Sequence, residues 1–194
     1  MSKIRLGFRR PNEPPMPDPL AYFLTWTTYG SWLPGDERGW VKRGKGYQLA
    51  DPVVHSAAIR LMKEPACFLE ERQQELVEAT IRDHCDIRKW QLHAVNARSN
   101  HVHVVVTSTR EPDDVRDQFK AWCTRKLKEQ QRATITARRA SEGTDSSNPA
   151  IVIRENWWTE KGSQRYILDE ESLEAVIIYV LEAQDRMGRD SAEV

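Results

Sequence analysis

Apolar positions change their period along the chain, and each change marks an element. Residues 21–28 are aromatic, β-branched and apolar and predict a first strand. Residues 29–49 hold Pro34-Gly35-Asp36, Gly39, Gly44 and Gly46, a turn-rich loop whose Trp32 and Trp40 imply that it packs on something. Residues 51–62 can form a helix. Residues 70–88 form a stronger one, with Leu76, Ala79, Ile81 and Ile87 among polar neighbours. Residues 90–97 read as a strand, Arg98-Ser99-Asn100 as a turn, and 101–108 as the partner strand of a β-hairpin.

The pattern then returns to a helical period over 113 to about 133. Asp113 and Asp114 suit its N-terminus, and basic residues gather later, as the helix dipole prefers. Residues 140–149, with Ser141, Gly143, Ser146, Ser147 and Asn148, predict a loop, and 164–168 a short strand. Asp169 or Ser172 would cap a last helix running to about residue 186, with Gly188 to end it. The order β-α-α-β-β-α-β-α implies an α+β fold, an antiparallel sheet with helices packed on it. Pro11, Pro14, Pro15, Pro17 and Pro19 make residues 1–19 an extended, poorly ordered arm. Residues 20–188 then form a single domain, and 189–194 a tail.

Composition narrows the function classes. A chain of 194 residues suits one domain with a real core. Its 29 basic and 29 acidic residues cancel, so any nucleic-acid surface must come from local clustering and not from net charge. Cys67, Cys85 and Cys123 lie far apart, form no CxxC pair and are odd in number, which argues against a disulfide framework. They read as reduced thiols of a cytoplasmic protein. No apolar stretch approaches membrane-span length, and residues 1–19 lack the apolar core of a secretory signal.

The most informative chemistry is His101-Val102-His103 at the head of Val104-Val105-Val106. On a strand, alternation puts both imidazoles on one face, with Cα atoms about 6.6 Å apart, two rises of roughly 3.3 Å. Two neutral imidazoles at that spacing can hold one divalent metal; a histidine hydrogen-bonded in the core is the plainer alternative. No cysteine pair accompanies them, so a zinc finger is disfavoured. An open site of two His, an oxygen ligand and substrate oxygens suits Mg²⁺, Mn²⁺ or Zn²⁺. Further on, Leu173, Val176, Ile177 and Val180 form one helix face, and Tyr179 lies about 120° from its centre, at the edge of that face, where it can present its phenol to a cleft or serve as an amphipathic boundary residue.

Asn100-His101-Val102-His103 with its valine run, a helix, and then Trp158-Thr159-Glu160-Lys161-Gly162, Asp169-Glu170-Glu171 and Ile178-Tyr179-Val180 resemble the single-tyrosine HUH transposases, the IS200/IS605-like and REP-associated enzymes. The resemblance covers 85–185 well and 20–27 weakly. It implies a ferredoxin/RRM-like HUH core, a metal on His101 and His103 (Mg²⁺ or Mn²⁺), and Tyr179 as the nucleophile that cuts and rejoins single-stranded DNA through a 5′-phosphotyrosine. It implies single-stranded DNA with stem-loop ends as partner, and either a monomer or a homodimer that exchanges the tyrosine helix.

One position departs from the family. Its members usually carry Gln or Asn four residues after the tyrosine, as a metal ligand; here that position is Ala183, with Gln184 one further. In a regular helix Gln184 points about 140° away from Tyr179. A π-bulge would bring i and i+5 together; otherwise Glu182 would supply the oxygen. Gln184 keeps the family's ligand type and is preferred.

For DNA contact, Lys120, Arg125, Lys126, Lys128 and Arg132 predict a basic stripe on the helix after the hairpin, and Arg98 in the turn is another candidate phosphate contact. Trp122, within the stripe, reads as core. Lys42, Arg43 and Lys45 give the tryptophan-bearing loop a positive edge. A histidine-triad hydrolase would need a third alternating His, where Val105 stands. A 2H phosphoesterase would need His-x-Ser/Thr motifs. A replication initiator or relaxase shares the HUH chemistry, and the displaced Gln184 keeps open a non-catalytic DNA-binding descendant of a transposase.

Overall fold

The structure, a computed structural model, describes residues 18–42, 44–142 and 152–183. The proposed arm up to residue 17, the tail from 189 and Gly188 lie outside the described residues. In chain order the elements are β1 (Ala21–Thr27), β2 (Trp40–Lys42), β3 (Gly46–Gln48), α1 (Pro52–Arg60), α2 (Glu71–Arg88), β4 (Gln91–Ala97), β5 (His101–Thr107), α3 (Pro112–Glu142), β6 (Ser163–Ile167) and α4 (Glu170–Ile178), followed by a π-helical turn, Tyr179–Ala183.

Local chemistry accounts for the boundaries. Asp51 caps α1 by accepting from the amides of Val53 and Val54, with Pro52 in the first turn, where its missing N–H costs nothing. Glu70 and Gln73 form a capping box at the start of α2, and Lys89 ends that helix in the left-handed conformation, φ 58°. Asp169 accepts from Ser172 N at 2.7 Å to begin α4. β5 is almost continuous β-branched sequence, which suits a central strand buried on both faces.

Strands β4, β5, β1 and β6 form one four-stranded sheet in that order, antiparallel at every pairing. With α2 and α3 as the crossovers, the core is β-α-β-β-α-β, the split-βαβ arrangement of ferredoxin-like folds. Val102, Val104 and Val106 face α2 and α3, packing with Leu24, Trp26, Val77, Ile81 and Phe119 in the main core. Val105 points the other way, into a smaller core with Ala21, Ala94, Ile167, Val176 and Val180. The face carrying the odd-numbered residues of β5 is therefore the face that α4 covers.

Two elements differ from the sequence reading. The turn-rich loop contains the small β2–β3 hairpin, too short for a periodic signal. Helix α3 continues to Glu142, into the stretch read as loop; residues 143–149 of that stretch lie outside the described residues. The three cysteines are free and buried. Among the described residues no helix is long and apolar enough to cross a membrane.

Candidate active site

His101 and His103 stand on one face of β5, ring centroids 4.6 Å apart and nearly perpendicular at 76°. Each ring is oriented through Nδ1. The Thr25 hydroxyl meets His103 Nδ1 at 2.7 Å, and Asn100 Oδ1 meets His101 Nδ1 at 2.5 Å. Contacts of this kind at Nδ1 orient metal-bound histidines that ligate through Nε2. The strand register supplies these partners: Thr25 pairs across the ladder with His103 and Thr27 with His101, while Asn96 faces His103 from β4.

His103 is buried, and burial, reinforced by the neighbouring His101 and Arg98, pushes its pKa down to about 3. It is a neutral imidazole at physiological pH, the protonation state that ligates a metal. Phe23 stacks on it at 5.4 Å and 22°.

Tyr179 comes to the same place from the other layer. Its ring lies 5.8 Å from that of His103 and 6.1 Å from that of Phe23, edge-on to both, and the residue is 41% exposed. Helix α4 anchors it by burying Val176, with Val180 buried one residue beyond the tyrosine. The backbone turns π-helical at Tyr179. In that register residue i+5 lies above residue i, and such turns concentrate at functional sites. Gln184 itself lies outside the described residues.

The donor set fits a divalent metal in part. The two imidazole rings lie side by side, but among the described residues no group of three or more His, Cys, Asp and Glu side chains could hold a metal ion. Glu182 is exposed and forms no such group with the two histidines. An amide or substrate oxygen would have to fill that place.

The basic residues do not converge on the histidines. Arg125, Lys126, Lys128 and Arg132 belong to α3, which covers the opposite face of the sheet. Arg125 and Lys126 both pair with Glu129, and Lys128 pairs with Glu155. Lys120 leaves the stripe altogether. It is buried, and its Nζ donates to the carbonyls of Thr159, Glu160 and Lys161 at 2.7, 3.2 and 2.9 Å. The sequence signal was present: Arg116 and Lys120 follow Val115 and Phe119 by one residue each and share the inward stripe that continues to Cys123 and Leu127. Trp122, read as core, is 38% exposed, with the Arg125 guanidinium 5.4 Å from its ring. Arg98 stays beside the pair, in the turn that leads into His101, with its N–H donating to His101 O.

Sequence reasoning missed Thr25, Phe23 and the role of Asn100. Thr25 and Thr27 alternate in β1, a period-2 signal, but only the pairing register says which histidine each one meets.

Fold and site together define an α+β ferredoxin-like domain with an imidazole pair and a tyrosine on one sheet face. No protein-family model matches the chain, and no curated protein matches it. Among solved structures it is similar to a REP-associated tyrosine transposase bound to a REP hairpin, at 11% identity and a TM-score of 0.46, over 97% of this chain and 75% of that one. It is also similar to a protein of Deinococcus radiodurans R1 described as a transposase, at 14% identity and a TM-score of 0.41, over 93% of this chain and 95% of that one.

Proposed function

We propose that this chain is a metal-dependent endonuclease and strand transferase for single-stranded DNA, acting in transposition, with Tyr179 as nucleophile. The observation that carries the reading is the convergence of Tyr179 with His103 and His101 on one face of the sheet, from elements 76 residues apart in sequence (179 minus 103). The HUH-like order of motifs in the sequence supports it.

His101 and His103 would hold a divalent metal, Mg²⁺ or Mn²⁺, through Nε2, with Gln184 proposed as the third ligand. Such an ion polarises a non-bridging phosphate oxygen and stabilises charge that develops there. The residues of the chain do the rest. Thr25 and Asn100 fix the two rings. Phe23 holds His103 and Tyr179 at a set spacing. The Tyr179 phenol oxygen bonds to phosphorus as the P–O3′ bond breaks, and the phenol proton is balanced by protonation of the departing 3′-oxygen. The product is a 5′-phosphotyrosine and a free 3′-hydroxyl. Because one phosphodiester replaces another, a second 3′-hydroxyl can reverse the step and join strands without an added energy source.

DNA would be gripped by Arg98 near the scissile phosphate. Arg125, Lys126, Lys128 and Arg132, on the far face, would meet only more distant parts of a folded stem-loop.

The test is a labelled single-stranded hairpin incubated with the protein and Mn²⁺ or Mg²⁺. A denaturant-resistant protein–DNA adduct is expected, abolished by chelation and by Tyr179→Phe. An adduct that survives Tyr179→Phe rejects the nucleophile; binding with no adduct in the native protein supports the non-catalytic descendant instead.

A further inference from the structure

The loop between β1 and α1 forms a hairpin, β2–β3, separate from the four-stranded sheet. It displays large aromatic rings: Tyr47 is 63% exposed and Trp32 45%. Both are pinned by their polar ends. Trp32 Nε1 donates to Gly39 O at 2.7 Å, and Tyr47 Oη donates to Arg38 O at 3.1 Å. Gly39 adopts φ +82°, and a Cβ there would run into the Tyr47 ring, so that ring lies against the glycine backbone with its remaining surface turned to solvent. The Arg38 guanidinium stands 5.6 Å over the Trp32 ring and is held by both oxygens of Asp36. Rings fixed in this way lose little further freedom when something stacks on them.

The loop is also locally basic in a chain of zero net charge. Residues 36–48 contain four basic residues and two acidic ones. Lys42 and Lys45 are exposed, and Lys42 Nζ sits 5.9 Å from the Trp40 ring. The loop is tied to the histidine-bearing turn. Thr28 N and Ser31 Oγ both donate to Asn100 O, at 2.8 and 3.1 Å, and the Asn100 side chain meets His101.

We propose that this loop is a stacking platform for single-stranded DNA, on which Trp32 and Tyr47 take bases and Lys42 and Lys45 take the phosphates of the strand that leads away from His101. Flat π faces beside cations are the recurring means of holding single strands without sequence preference. Excess positive charge favours a polyanion over a second copy of a chain whose own charges cancel. The choice of ligand rests on the single-stranded DNA reading above, but the platform does not require cleavage.

The test is fluorescence anisotropy of a labelled oligothymidylate strand of about twenty nucleotides, with chelator present, so that no cutting intervenes. Trp32→Ala and Tyr47→Ala are each expected to weaken binding about tenfold, the usual effect of losing one base stack. Tyr47→Phe, which keeps the ring, retains most of the affinity. An abasic strand of equal length binds the native protein and both alanine variants alike, because its phosphates remain and its bases are gone. Replacing Lys42 and Lys45 by alanine lowers the salt slope by about 0.7 per charge. Affinity for the thymidylate strand unchanged in both alanine variants overturns the platform. So does an equal loss on the abasic strand, or a Trp32-dependent dimer in sedimentation with DNA affinity intact. A protein that forms the tyrosine adduct while ignoring both rings keeps the proposed chemistry and loses the platform; one that binds through both rings and forms no adduct does the reverse.

Discussion

Thr25 stands directly across the β1–β5 ladder from His103, and its hydroxyl meets His103 Nδ1 at 2.7 Å. When Nδ1–H donates to that oxygen, Nε2 keeps its lone pair for a metal. Thr25→Val keeps the side-chain shape and removes the oxygen. Mn²⁺ affinity, measured by calorimetry, is expected to fall about 10- to 100-fold, as for other second-shell partners, and Thr25→Ser is expected to recover most of it. Equal Mn²⁺ affinity in native protein and Thr25→Val would remove His103 from the ligand set.

Phe23 links the two halves of the candidate site. It stacks on His103 and meets the Tyr179 ring edge-on. Phe23→Leu leaves an apolar residue in place but lets the phenol drift. Since misplacement of a reacting group by about 1 Å can cost about 100-fold in rate, adduct formation under single-turnover conditions should slow at least tenfold, with single-strand affinity nearly unchanged. A parallel loss of affinity and rate would mean that the substitution disturbs the fold and not the alignment.

The imidazole pair, the hairpin turn and the strand run of β5 are legible in the sequence because alternation and β-branching are local signals. Which layer α4 covers is not local. It follows from the strand order β4-β5-β1-β6, which puts Val105, and with it both histidines, on the face that receives Val176 and Val180. The partnership of Thr25 with His103 spans 78 positions and depends on register. The inward turn of Lys120 was obscured by its charge. Read by spacing, it belongs with Phe119 and Cys123, but four basic neighbours on the same helix drew it into the solvent-facing stripe.

Gly162 precedes β6 where no side chain fits. A Cβ there would collide with the Thr25 carbonyl oxygen and come within 3.0 Å of Trp26 Cβ and Arg116 Cδ. Two of these atoms belong to β1 and cannot step aside as the end of a flexible side chain can. Gly162→Ala should destabilise the fold by about 1–3 kcal/mol, the usual cost of overpacking, read as a lower urea midpoint. Because the displaced strand carries Thr25, Mn²⁺ affinity should fall with it. A variant with the native midpoint would show that β6 can shift without cost.

Lys120 makes stability depend on pH in the alkaline range. Its ammonium ties together the carbonyls of residues 159–161. Burial, helped by the neighbouring Arg116 charge, brings its pKa from the ordinary 10.5 down to about 8. Below about pH 8 folded and unfolded chains both hold the proton. Between there and 10.5 the unfolded chain holds a proton that the folded chain has released, so this residue's contribution to unfolding free energy rises with pH. Lys120→Met removes the titration and leaves three carbonyls without their shared donor, an expected loss of about 1 kcal/mol or more. Urea unfolding of both proteins at a series of pH values should therefore show the native protein gaining on the variant from about pH 8 upward. A difference that stays flat across that range would mean that the three carbonyls hold the proton on Lys120 as firmly as water does.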